Sequence, residues 1–204
     1  CLKMKSNRNM IKYGLKIENE SVDSNSIISD DYVINHGDEV ACANYSSGAH
    51  HNRYTLCSGA KLIIDCKISP QAQFKYSAPE YGVKQADINI IDIYHEIIVE
   101  GDNCEVEVKV KGLALASKII YRCKIKASAN IKSLKASQSI RFLKFNNVLS
   151  EIDAIPILEL DSKDISANHS LSISNIKTED LYYLGLFGLD KESAEGLLIQ
   201  AFMK

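Results

Sequence analysis

The chain has no stretch long and apolar enough to cross a bilayer. None of its runs approaches the roughly 18 apolar residues that a spanning helix requires, and its opening, CLKMKSNRNM, lacks the apolar core of a secretory leader. A cytoplasmic home is the simplest expectation. An opening at Cys1 rather than Met reads as a processed or trimmed start, with a lipid-bearing N-terminal cysteine as the lesser alternative. No charge of one sign dominates: 24 Lys and Arg stand against 26 Asp and Glu, for a net charge of −2, and the basic residues are scattered. That balance argues against a nucleic-acid or anionic-membrane partner. The nucleotide-binding loop G-x4-G-K-[ST] is missing, as are G-x-S-x-G and H-E-x-x-H, so the chain is not expected to hydrolyse ATP or to act as a serine hydrolase or zinc protease. Six cysteines, at 1, 42, 57, 66, 104 and 123, include no C-x2-C pair, so free thiols are expected rather than a zinc knuckle or a disulfide framework. His50 and His51, irregularly spaced from Cys57 and Cys66, read as surface histidines beside buried thiols.

What is present is alternation. In Cys104–Lys111, Cys104, Val106, Val108 and Val110 share one face while Glu105, Glu107, Lys109 and Lys111 share the other. About 19 residues later Ile119, Tyr121, Cys123, Ile125 and Ala127 repeat the pattern against Ile120, Arg122, Lys124 and Lys126, and a third run carries Ile131, Leu134, Ile140 and Phe142. Upstream, Tyr32–Asn35, Asn52–Leu56 and Lys61–Ile68 are short strand-like pieces bounded by Gly, Ser, Asn or Pro, and residues 70–85 form an excursion. Strands at these intervals without helices between them fit either a sandwich or a solenoid of stacked rungs, and periodicity alone does not separate the two.

From Asp180 the period becomes helical, and Thr178 is the expected cap of the first helix. Glu179 and Asp180 complement a helix N-terminus, Leu181, Leu184 and Phe187 form a stripe, and Gly188 ends it. Asp190 caps a second helix in which Ala194, Leu197, Leu198, Ala201 and Phe202 share a face. Both helices are too short to stand alone. Between the strands and the helices lies His169, in parity with Ile165, Ala167, Leu171 and Ile173 and therefore on the apolar face of its strand. Taken alone, that placement describes a core histidine satisfied by a carbonyl. Cys104 and Cys123 point inward and behave as small hydrophobes in a core, while stacked rungs would also permit them to stand in line toward His169.

The order Pro156-Ile-Leu-Glu-Leu, Asp164-Ile-Ser-Ala-Asn-His169-Ser, Glu179-Asp-Leu-Tyr-Tyr-Leu-Gly-Leu-Phe-Gly-Leu, then Ala194-x2-Leu-Leu-Ile-x-Ala-Phe202 resembles the end of the SufB/SufD family. These are the non-ATPase scaffold subunits of an iron–sulfur cluster assembly complex. Glu96–Gly101 and Gly112–Lys118 extend the resemblance over roughly the last two thirds of the chain. It implies a mainly β protein, a right-handed parallel β-helix over about residues 31–173, with an N-terminal arm or cap at 1–30 and a C-terminal pair of helices at 174–204. Family members carry a longer N-terminal helical region, so this chain reads as a short form. The resemblance further implies a dimer, with itself or a related scaffold subunit, meeting near His169, where an iron–sulfur cluster is held transiently. Where the better-known SufB pattern has carboxylates flanking the histidine, this chain has Asn168 and Ser170, and Ser150 stands in place of a cysteine. Asp153 and Glu179 remain as oxygen ligands beside His169, and Cys104 and Cys123 as sulfur relay candidates. The helix pair is where the family receives its ABC-type ATPase, SufC-like, and Tyr183, Leu184, Phe187, Leu198 and Phe202 are the expected anchors. Two other readings stand beside this one. A β-helix enzyme acting on polysaccharides would need exposed acid and base clusters and is usually exported; a self-associating structural solenoid has no evident use for the terminal helices.

Overall fold

The computed structural model describes residues 4–10, 27–36, 43–69, 89–145 and 150–204. Strands β1 (Met4–Met10), β2 (Ile27–Ile34), β4 (Gly48–Leu56), β6 (Asn89–Val99), β8 (Ser117–Ala127) and β10 (Glu151–Leu160) form one six-stranded sheet in that order. Strands β3 (Ala43–Tyr45), β5 (Lys61–Ile68), β7 (Glu105–Ala114), β9 (Leu134–Lys144) and β11 (Ile165–Asn175) form a second, five-stranded one. Every pairing is parallel. Because consecutive strands from β2 onward alternate between the sheets, the chain winds as a β-helix in which each turn lays one strand on each side of a common core.

The alternating side chains account for this winding. Val106, Val108, Val110, Ile119, Tyr121 and Ile125 are all essentially inaccessible, as predicted, and each aliphatic one contributes about 1.5–3 kcal/mol by leaving water. On the outside of the six-stranded sheet the charges alternate in sign across the register: Asp31 faces Arg53, Arg53 faces Glu96, and Glu96 faces Lys124. Arg53 donates to Glu96 at 2.8 Å, and Lys124 reaches Glu159 at 2.8 Å on the diagonal. Cross-strand pairs of this kind fix register because a one-residue slip would turn every charge inward.

The 19-residue recurrence read in the sequence is not the rung repeat. Val106 and Tyr121 belong to opposite sheets of one turn, and the stacking offset is longer: Glu105 pairs with Lys135, and Lys118 with Glu151. The solenoid also reaches back into the predicted arm, since Met4–Met10 pairs in parallel with β2. The excursion at 70–85 lies outside the described residues. His50, expected at the surface, faces inward and is buried, its Nε2 donating to the Ser47 carbonyl at 2.9 Å, while His51 is on the outer face against Tyr94.

The interior is not wholly apolar. His95 on β6 is fully buried, with Nε2 3.2 Å from the Tyr45 hydroxyl and Nδ1 3.2 Å from the Tyr121 hydroxyl, and Asn52 donates to Tyr45 at 2.6 Å. Burial holds the His95 ring down to about 3, with the charges of His50 and His51 adding to the effect, so it is neutral at pH 7.

Helices α1 (Thr178–Leu186) and α2 (Lys191–Met203) follow β11, so Thr178, expected as the cap of α1, is its first helical residue, and Lys177 stands at the cap position without a side-chain cap hydrogen bond. Gly188, at φ +85°, turns the chain after α1, and Asp190 caps α2 by accepting from the Ser193 amide at 2.7 Å. A second, smaller apolar cluster joins them to the solenoid: Ile176 and Ile199 bury against Leu113 of β7 and Leu143 of β9, with Leu181, Leu198, Phe202 and Met203 around them. The buried side of α2 is therefore Ala194, Glu195 and Ile199, flanked by Leu198 and Phe202, and Leu197 is exposed rather than part of the stripe. Among the described residues no helix is long and apolar enough to cross a membrane.

Candidate functional site at the open end of the solenoid

Each rung covers the one before it, so the last has one uncovered side. Strands β10 and β11 are terminal strands of their sheets, and their outward hydrogen-bonding edges are unmatched among the described residues. Interior positions that would be buried one rung earlier are exposed here. Leu171 and Ile173 on β11 stack in register on Ile140 and Phe142, which are fully buried, yet are 41% and 47% exposed themselves. Ile155, facing outward on β10, adds a further apolar side chain at 42%. Natural sheets rarely leave such an edge bare.

His169 stands in this row. Its register partner on β9 is Gln138, and the histidine is exposed. It is thus neither the enclosed core histidine nor a liganded one within a single chain. The other two predicted metal ligands do not join it. Asp153 has the outward parity of Glu151 and Ile155 on β10, in the opposite sheet, and Glu179 lies in the exposed first turn of α1. Among the described residues no three His, Cys, Asp or Glu side chains are grouped closely enough to hold a metal ion. Among the described residues, then, a site built on His169 is incomplete.

The two relay thiols are not in line. Cys104 lies at the corner entering β7, its Sγ 3.2 Å from the carbonyls of both Cys57 and Gly101. Cys123 lies in the middle of β8 on the other sheet, near enough to Cys66 that its charge raises the Cys66 thiol beyond what burial does. Burial pushes Cys123 up to about 12, partly offset by Tyr121, and raises Cys104 and Cys66 as well. Thiolates are the transferring species, so these groups are held in the unreactive form at neutral pH.

The helix pair divides the predicted anchors in two. Tyr183 and Phe187 are 60% and 69% exposed and pack edge to face with each other at 5.0 Å. Tyr182 and Leu186 beside them are equally exposed, at 71% and 67%, and Tyr182 was not singled out from the sequence. Leu184 is half-buried, while Leu198 and Phe202 belong to the cluster that fastens α2 to the solenoid, with the Arg141 guanidinium 5.7 Å from the Phe202 ring centre. Phe202 is an internal anchor, not a free one.

The described residues thus form a parallel β-solenoid with a bare end and an appended helix pair that exposes an apolar face. Comparison with known proteins gives this fold a family. The family model "SUF system FeS cluster assembly, SufBD core domain" matches residues 69–202. The chain belongs to the SufB/SufD family of iron–sulfur cluster assembly proteins. It is 43% identical over 51 residues to "Iron-sulfur cluster assembly protein SufD" of Bacillus subtilis, a match covering 25% of this chain and 12% of that protein. It is 29% identical over 114 residues to an iron–sulfur cluster assembly SufBD family protein of Galdieria sulphuraria, covering 55% of this chain and 51% of the relative. A third such protein, from Archaeoglobus fulgidus, is 25% identical over 123 residues, covering 57% and 31%. The chain matches about half or less of the length of these relatives.

Proposed function

We propose that the chain is a scaffold subunit without catalytic activity of its own, that two scaffold chains meet at the open end of the solenoid, and that the iron–sulfur cluster is assembled transiently at that junction. The carrying observation is His169: an exposed imidazole in the interior row of a terminal strand, flanked by exposed Leu171 and Ile173 and without enough neighbouring ligands in its own chain. A second subunit, either a copy or a related scaffold, would cover the apolar edge and supply the missing ligands. Asp153 faces the wrong way to share a site with His169 from the same chain, whereas Glu179, at the head of α1, remains available. Work in the cytoplasm, where thiols stay reduced, suits an assembly of this kind.

The outer face of α1 is the docking surface for an ABC-type ATPase of the SufC kind. Tyr182, Tyr183, Leu186 and Phe187 form one exposed apolar patch on a helix that the solenoid holds only through its other side, and a few such anchors carry most of a helical interface. Because β11 runs into α1 through Ile176, which is itself fastened to Leu113 and Leu143, motion of the helices would reach the strand that bears His169.

The decisive experiment measures assembly state and iron retention together. Light scattering of the chain with its ATPase at micromolar concentration should give two scaffold chains per particle, and His169→Ala should retain less iron after anaerobic reconstitution. A single scaffold chain per particle, or full iron retention by His169→Ala, would contradict the reading.

A further inference from the structure

Among the described residues three buried side-chain polar atoms have no partner, on His51, Arg122 and Gln138, and the last of these belongs to the register partner of His169. Gln138, in the middle of β9, is completely inaccessible. Its amide nitrogen lies 3.5 Å from the Cys123 carbonyl and 3.4 Å from the Ile157 carbonyl, both on the facing sheet. Two carbonyl acceptors fix which end of the amide points that way, because the reverse orientation would set oxygen against oxygen. The oxygen, Oε1, is then left buried and unpaired. Leaving such an acceptor unsatisfied costs on the order of 1–3 kcal/mol, and natural cores carry few of them.

The register shows what could satisfy it. Gln138 pairs with Val108 on one side, which bears no donor, and with His169 on the other. Neighbouring strands lie about 4.8 Å apart, so side chains sharing a register position on one face stand close enough for a turn of the side-chain torsions to join them, although the structure itself draws no hydrogen bond to Oε1. The imidazole of His169 is the side-chain donor that the stacking of this row offers.

We propose that Gln138 is the positioning residue for His169. Its Oε1 accepts the N–H of the imidazole nitrogen facing the solenoid interior, which fixes the tautomer and leaves the lone pair of the other nitrogen directed at the open edge. This inference rests on the assignment of His169 to the assembly site. A ligating imidazole ordinarily has its second nitrogen held by a carbonyl or carboxylate, and removing that partner weakens metal affinity about 10–100-fold. Here a buried glutamine carbonyl supplies the acceptor. It is held by the facing sheet, so the orientation of His169 is tied to the packing of the last rungs.

The test uses the full chain labelled with 15N-histidine. Long-range proton–nitrogen correlations at a fixed pH of 8 should show His169 in one dominant tautomer. Gln138→Leu, which removes the amide while keeping a side chain of similar size, should return His169 to the mixed tautomers of a free imidazole. A mixture already present in the wild type would overturn the proposal, and this holds even if the variant fails to fold. Anaerobic titration with iron(II) supplies a cycle: Gln138→Leu should weaken binding about 10–100-fold in the wild-type background and have no further effect alongside His169→Ala. An equal loss in both backgrounds would mean that Gln138 acts only through the fold, and would sink the proposal. If His169→Ala alone leaves iron binding unchanged, the assembly-site reading fails separately, and the tautomer spectrum still decides whether the Gln138 hydrogen bond exists.

Discussion

Acid should find the middle of this solenoid before it finds the surface. His95 is enclosed by Tyr45, Tyr54, Tyr121 and Asn52, and its ring is held down to about 3 from an ordinary value of 6.5. In the unfolded chain it takes up a proton below pH 6.5, whereas in the native state it stays neutral until about pH 3. The stability linked to this group is therefore complete above pH 6.5 and is lost as the pH falls from 6.5 toward 3. At 1.36 kcal/mol per pH unit the loss is about 2 kcal/mol at pH 5, rising to between 4 and 5 kcal/mol near pH 3. His50, also lowered by burial, adds to the same window. His95→Gln keeps an uncharged hydrogen-bonding side chain between the two tyrosines and does not titrate, and His50 is common to both proteins. Urea unfolding at pH 7.5 and pH 5.0 isolates the difference: the wild type should lose about 2 kcal/mol more than the variant. Equal losses would mean that His95 is not held neutral, and the account of the interior would be wrong.

Other expectations follow from particular positions. At Gly112 a Cβ would overlap the ring of fully buried Phe142, so Gly112→Ala should lower stability by about 1–3 kcal/mol in chemical denaturation; a neutral result would mean that the Phe142 pocket is loosely packed. Brief alkylation at pH 8 with peptide mapping should leave Cys66 and Cys123 unlabelled in the folded chain and label them after unfolding, since both thiols are buried and raised. Phe187→Ala should change stability by less than about 0.5 kcal/mol yet weaken ATPase binding by about 2 kcal/mol or more in calorimetry. Phe202→Ala should do the opposite, loosening α2 from Leu113 and Leu143; a variant pair with the effects exchanged would reverse the assignment of the two faces.

The parts of the fold that were legible in the sequence are those set by side-chain alternation. Val106, Val108, Val110, Ile119, Tyr121 and Ile125 were identifiable as interior because charged residues separate them, and Asp190 was identifiable as a cap from its position before the helical period. Which strand stacks on which was not legible. Alternation has period two wherever a strand occurs, so Cys104–Lys111 and Ile119–Ala127 read as successive rungs although they are the two sides of one turn. The same ambiguity misplaced the thiols: inward parity was correct for both, but parity does not say which sheet a residue faces from. Asp153 failed as a partner of His169 for a related reason, since nearness in sequence to Pro156 says nothing about which side of β10 it occupies. The role of Gln138 has no local signature. A glutamine among serines and lysines resembles a surface residue until the register buries it.

A stacked solenoid behaves as a one-dimensional lattice, in which each strand's protection against opening depends on having neighbours on both sides. β9 has β7 and β11; β11 has β9 alone. The amides of β11 and β10 should therefore exchange with solvent faster than those of β8 and β9, through end fraying that leaves the lattice behind them intact. The strand that carries His169 is thus, with β10 beside it and β1 and β3 at the other end, among the easiest parts of the solenoid to release and re-lay. On the proposed function, an assembly site at such an end would open to hand over its cargo without unwinding the remaining rungs, and a chain docked on it would restore the missing neighbour and slow that exchange.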